Sequence, residues 1–155
     1  MPYIIIILVL AALDQITKQL MYNVAGGMQG FSIPLIKRFF HLTYVENHGG
    51  VFGLLQGKIN LFTIASTVLI IYVIAMEYKN FKNYSKWTKI GVAVIAAGAL
   101  GNMIDRIFRG YVIDMIDFRG IWVFVFNMAD MYVHIGIYII VIDYLVRKYK
   151  MKKGK

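Results

Sequence analysis

Long apolar stretches separated by short polar segments dominate the chain. The first covers residues 3–23, and Pro2 stands where a helix start tolerates proline. The second, residues 59–76, carries no charge; as a helix it reaches about 27 Å, close to a hydrocarbon core of about 30 Å. The third covers 87–104, with Lys89 near its start and Asp105-Arg106 just beyond its end. The fourth, 131–146, follows Asp130 and contains Asp143. Runs of this kind predict membrane-spanning helices. Ala11-Ala12 could pass for a signal-peptide cleavage site, but no positive charge precedes the first run, so we read it as a retained span. Between the first two runs, Phe40-His41-Leu42-Thr43-Tyr44-Val45 alternates as a short strand does, with Gly26-Gly27 and Gly49-Gly50 as turns. The pattern predicts an all-α membrane protein. Its expected form is one polytopic domain over residues 1–155, with four transmembrane helices and a small β-rich cap.

Composition supports the same reading. Of 155 residues, 59% are hydrophobic and 16% charged, too little polar surface to coat a small water-soluble globule. The absence of cysteine excludes thiol catalysis, thiolate metal sites and disulfides.

The net charge of +9 would suggest nucleic acid in a soluble chain. Here the cations crowd beside apolar runs instead. The segment 77–89 and the tail 147–155 hold ten Lys and Arg, against six in 24–58 and 106–130. The positive-inside rule then places both termini and the middle connection on the cytoplasmic side, and the other two loops outside. No nucleic-acid partner is expected, because basic residues without a reading surface supply only non-specific binding.

The eight acids sort by this map. Glu77 and Asp143 fall at the cytoplasmic edge, where they need no special explanation. Asp14 lies inside the first span, four residues before Lys18 and on the same helix face. A charge at that depth has a partner or a task. Either a structural ion pair, or Lys18 reaching outward to lipid phosphate, or a direct role in a site fits this spacing. Asn102 and Arg106 share a face at the outer end of the third span, with Asp105 between them as an orienting partner. Asn127-Met128-Ala129-Asp130 reads as a helix cap with an acid three residues on. Asp114 sits in an apolar stretch, Gly110-Tyr111-Val112-Ile113-Asp114-Met115-Ile116, where desolvation disfavours its charge. Two carboxylates sharing a site share one proton, so Asp114 and Asp130 could act as acid and base on a peptide bond. Spacing alone does not bring them together. The competing reading is a small four-span proton-coupled transporter using Asp14, Lys18 and Asp114 as relay groups. His41, His48 and His134 form no helical zinc motif, and Ser32, Ser66 and Ser85 show no histidine and aspartate in a recognisable arrangement.

Five blocks in order add to this. They are Asp14-Gln15-Ile16-Thr17-Lys18; Asn47-His48-Gly49-Gly50-Val51-Phe52-Gly53; Gly98-Ala99-Leu100-Gly101-Asn102-Met103-Ile104-Asp105-Arg106; Val112-Ile113-Asp114; and Phe126-Asn127-Met128-Ala129-Asp130. With four spans in matching places, the chain resembles the bacterial lipoprotein signal peptidases, also called signal peptidase II. The resemblance implies four transmembrane helices, a small β cradle, and a loop or short helix over the site on the outer face. It implies an aspartyl endopeptidase of the cytoplasmic (inner) membrane, with no cofactor and no metal. The implied substrate is a prolipoprotein carrying diacylglycerol on its lipobox cysteine, cut just before that cysteine. Asp114 and Asp130 match the family's catalytic pair. Asp14, Lys18, Asn47, Gly53, Asn102, Asp105, Arg106 and Asn127 match positions that support the site or contact substrate. The expected partners are that precursor and membrane lipid, and the expected state is a monomer. Gly50-Val51 stands where the family more often has small residues such as Ala-Ala, and Met131 where it has a small hydroxyl residue. Neither change removes a proposed catalytic atom.

Overall fold

The computed structural model describes residues 2–48 and 81–153. Helix α1 (Pro2–Ala25) leads into a hairpin of β1 (Ser32–Ile36) and β2 (Phe40–Asn47). A 3₁₀ turn at Phe81–Asn83 precedes α2 (Lys86–Phe108), which is followed by β3 (Val112–Phe118) and α3 (Met128–Lys153). The predicted run 59–76 lies outside the described residues. The other three apolar runs each fall inside one of these helices, long and apolar enough to cross a membrane. Among the described residues, turns rather than a short helix connect β3 to α3. Helix α3 continues through the basic segment as far as Lys153.

The helix ends follow local chemistry. At the close of α1, Gly26 (φ 59°) and Gly27 (φ 72°) take left-handed backbone, and the Gly27 N–H returns to the Tyr22 carbonyl at 3.3 Å. Ser85 caps α2, its Oγ accepting from the Thr88 N–H at 3.0 Å. Large apolar side chains such as Ile4, Ile5, Leu8, Ile142 and Leu145 remain exposed along α1 and α3, as a lipid-facing surface requires.

Helices α2 and α3 meet through glycine. A Cβ at Gly136 would lie 2.6 Å from the Gly91 carbonyl oxygen, and one at Gly91 would lie 2.8 Å from that of Gly136. The backbones therefore touch where side chains usually keep helices apart. Gly136→Val should force them to separate and cost about 1–3 kcal/mol, read as a lowered thermal unfolding midpoint in detergent.

Asp143 bears on this packing too, which corrects its reading as an unremarkable interface acid. Its Oδ2 accepts from Ser85 Oγ (2.6 Å) and Thr88 Oγ1 (2.7 Å), and pairs with Arg147 at 2.9 Å. One carboxylate thus ties the start of α2 to α3. It is 9% exposed, so its loss would leave the buried Thr88 hydroxyl and the half-buried Ser85 hydroxyl short of an acceptor.

The three strands form one antiparallel sheet in the order β1-β2-β3. Alternation foretold only β2. In β1, Pro34 breaks the strand pattern, and an edge position tolerates it. In β3, Val112 through Asp117 are all buried, so no polar face marks the strand. Met21 and Ala25 from α1 pack with Tyr44, Ile113, Met115 and Ile116 of the sheet in one apolar cluster. This packing fixes β3, and with it Asp114, over the ends of the helices.

Candidate active site

Four elements converge below the sheet around one buried cation. Lys18 on α1 is wholly buried, which rules out the reading in which it reaches out to lipid phosphate. Its ammonium contacts Asp14 Oδ2 (2.8 Å), Asp105 Oδ2 (2.9 Å) and Asn102 Oδ1 (3.0 Å). Three donors meet three acceptors, so the ammonium is fully satisfied. Asp14 and Asp105 are themselves wholly buried, and buried charges need this pairing.

Each carboxylate has further work. Asp14 Oδ1 accepts from the Ala129 N–H at 2.9 Å, satisfying one of the free N–H groups at the start of α3. Gln15 ties α1 to the Gly101 carbonyl at 3.0 Å. A Cβ at Gly101 would collide with the Asp14 carboxylate, so glycine makes room for the acid. Asp105 accepts from the Ile113 N–H at 3.2 Å, and its Oδ1 pairs with Arg109, also at 3.2 Å. The sequence suggested Arg106 as the neighbour of Asp105; the structure gives it Lys18 and Arg109 instead. Arg109 stands four residues after Asp105, and that spacing is the signal that would have found it.

From Lys18 the polarity runs outward in a fixed direction. An ammonium can only donate, so the Asn102 atom facing it is the carbonyl oxygen. The Asn102 Nδ2 must then face Asp130, whose Oδ1 accepts from it at 2.8 Å. Asn127 is oriented by the same logic. Its Oδ1 accepts from the Asp130 N–H (3.0 Å), while Asp130 Oδ2 accepts from the Asn127 N–H (3.2 Å). That reciprocal cap begins α3, as the sequence predicted. The Asn127 Nδ2 is left to donate to Asp114 Oδ1 at 2.6 Å and Asn102 Oδ1 at 3.1 Å. Asn47, at the end of β2, donates to Asp114 Oδ2 at 3.0 Å.

Asp114 and Asp130 are therefore bridged by a single residue, Asn127. Asp114 is 3% exposed. Burial pushes its carboxyl up to about 7, the charge of Asp130 adds to the rise, and the Asn47 and Asn127 amides oppose it. Arg106 is half-buried beside the pair. Among the described residues, its Nη1 reaches the Asn102 carbonyl at 3.4 Å and its buried Nε has no partner. Gly53 and the Gly50-Val51 departure lie outside the described residues. Met131 is 36% exposed.

A second polar cluster occupies the sheet and brings a histidine to Ser32. Ser32 Oγ lies 3.1 Å from His41 Nδ1 and 2.9 Å from Thr43 Oγ1. Asp117 accepts from Thr43 (2.7 Å) and pairs with Arg119 (2.9 Å) rather than with the ring. Burial works to raise the Asp117 carboxyl, but Thr43 and Arg119 outweigh it and hold it below the usual range. Because the acid does not touch the histidine, the cluster is no serine-hydrolase relay.

A lipid-facing bundle with a buried acid and amide network at one end is the framework of an integral membrane enzyme. The family model described as signal peptidase (SPase) II matches residues 6–146, and the chain belongs to that family of peptidases. The lipoprotein signal peptidase of Fusobacterium nucleatum is 43% identical over 154 residues, covering 98% of this chain and 92% of its own. That of Clostridioides difficile is 43% identical over 136 residues, covering 88% and 89%. A solved structure described as a bacterial membrane enzyme superposes with a TM-score of 0.82 at 32% identity, covering 99% of this chain and 93% of the other. The transporter reading finds no support among these relatives.

Proposed function

We propose that this chain removes the signal peptide from diacylglyceryl-modified prolipoproteins, cutting just before the lipidated cysteine, with Asp114 and Asp130 as the catalytic pair. The observation that carries the assignment is the pair of carboxylates joined through Asn127. We place the enzyme in the bacterial cytoplasmic membrane as a four-span monomer with both termini cytoplasmic and the site outward. A diacylglyceryl anchor holds the scissile peptide at the bilayer surface, so the carboxylates must lie at that depth.

Asp130 receives two N–H donors and stands in the first turn of α3, where the helix dipole favours negative charge. It is the carboxylate that takes a proton from water. The water oxygen bonds to the carbonyl carbon, and Asp114 gives its proton to the departing nitrogen as the C–N bond breaks. The products are the free carboxyl of the signal peptide and the free amine of the lipidated cysteine. The Arg106 Nε–H, without a partner among the described residues, suits a peptide carbonyl or headgroup oxygen beside the pair. Asp14, Lys18, Asn102, Asp105 and Asn127 hold both acids in place, and Asn47 steadies Asp114.

The direct test offers the purified protein lipid-modified and unmodified precursor. Cleavage confined to the lipidated form is expected; equal cleavage of both would remove the anchor from the recognition. The pH profile gives a second prediction. Asp114 works in its protonated form, which is populated below its raised value and lost above it. The value of kcat/KM should therefore fall by about tenfold per pH unit above about pH 7. A flat profile through that range would take Asp114 out of the acid role.

A further inference from the structure

The far end of the sheet carries an apolar tip that the active site does not use. Two segments build it: the tip of the β1–β2 hairpin, with Leu35 and Ile36 at the end of β1 and Phe39 in the turn, and the segment after β3 with Ile121, Trp122 and Val123. Val123 is 90% exposed, Ile121 73% and Trp122 50%. The turns form one body. The Arg119 N–H donates to the Phe39 carbonyl at 2.8 Å, and the Trp122 N–H to that of Phe118 at 3.0 Å. Beneath them Phe118 stacks on Phe40 (4.8 Å) and lies against Phe39 (5.7 Å). From Asp114 to Phe118 is four residues of strand, about 13 Å, and the tip lies beyond that. It is too distant to line the carboxylate pair.

Charge narrows what covers it. Lys37 and Arg38 are exposed in the first turn, and Arg119 begins the second. No acid occurs in residues 31–45 or 118–129. The nearest, Asp117, is already held by Thr43 and Arg119. A second copy of this chain docked tip to tip would bring these cations together. An anionic leaflet instead complements both features, taking apolar side chains below its headgroups and cations among its phosphates. Tryptophan at such a tip suits the headgroup level.

We propose that this tip is a lateral foot, sunk into the outer leaflet and held by anionic phospholipid headgroups. It pins the strands that carry Asn47 and Asp114 at a fixed depth, away from the helix bundle. The inference rests on the bundle being a membrane protein and not on the assignment of the catalytic pair, so the two can fail separately.

The chain has two tryptophans, Trp87 and Trp122, so Trp87→Phe in the full-length protein leaves Trp122 as the sole reporter. Vesicles would combine phosphatidylglycerol and phosphatidylcholine, with acyl chains brominated either near the headgroup or near the methyl end. Lipid brominated near the headgroup should quench Trp122 at least about twofold more than lipid brominated at the methyl end, with protection from acrylamide. Lys37→Glu with Arg38→Glu should weaken that quenching, and Val123→Asp should shift emission to the red. Subtracting the emission of Trp122→Phe from wild type gives the same reading should the Trp87 variant fold poorly. Emission indifferent to bromine and open to acrylamide would place the tip in water and overturn the proposal. Protection that depends on protein density without bromine quenching would assign it to a second copy, and protection gained only with added precursor to substrate. Equal quenching in pure phosphatidylcholine would overturn the anionic preference.

Discussion

Asp114→Asn and Asp130→Asn should each lower cleavage of lipidated precursor by about 10²–10⁴-fold, the contribution of a general acid or base. The double variant should be little worse than either single one, because residues acting as a unit are not additive. Misfolding is the confounding outcome, and the geometry supplies its control. Both oxygens of Asp130 accept, from Asn102 Nδ2 and the Asn127 N–H, so an amide at 130 sets one donor against another. Exchanging the two types, Asn102→Asp with Asp130→Asn, turns that clash back into a donor–acceptor pair while leaving position 130 without a carboxylate. The exchange should regain thermal stability over the single variant yet stay inactive. Near-normal turnover by any variant lacking Asp114 or Asp130 would remove that residue from the chemistry.

Lys18→Met should be the most damaging change to stability, at about 3–5 kcal/mol, because it removes the cation paired with buried Asp14 and leaves buried Asp105 with Arg109 alone. Thermal unfolding in detergent would measure the deficit. Lys18→Arg should rescue little. A flat guanidinium does not match three acceptors gathered round one nitrogen. A wild-type unfolding midpoint for Lys18→Met would mean that the cluster does not hold the helices together.

What the sequence disclosed follows from the range of the interactions involved. Apolar runs mark α1, α2 and α3 because a helix in lipid declares itself residue by residue. The Asp14–Lys18 pair is equally local. Strand β3 left no mark, because burial on both faces erases alternation, and β1 was masked by Pro34. The site was legible as a set of residue types but not as an arrangement. Asn127 lies 13 residues from Asp114, Lys18 is 84 from Asn102, and Asp14 is 115 from the Ala129 N–H it holds. No spacing rule reaches across such separations; the ordered family motifs did, by supplying residues already known to act together. Ser32 and His41 illustrate the opposite limit, since only strand register brings them within 3.1 Å. Arg109 was missed for a different reason. Its spacing from Asp105 was readable, but Arg106 stood next to the acid in sequence and drew the assignment.

Each described helix carries an acid followed four residues later by a base: Asp14 and Lys18, Asp105 and Arg109, Asp143 and Arg147. In the finished bundle these groups cross-link the helices. During synthesis, before any neighbour is in place, each acid already has a counter-ion on its own helix. Spans can therefore leave the insertion machinery for lipid one at a time with these charges cancelled internally, and add distant partners to the local ones when the helices meet. The pairs that build the site also make the chain insertable.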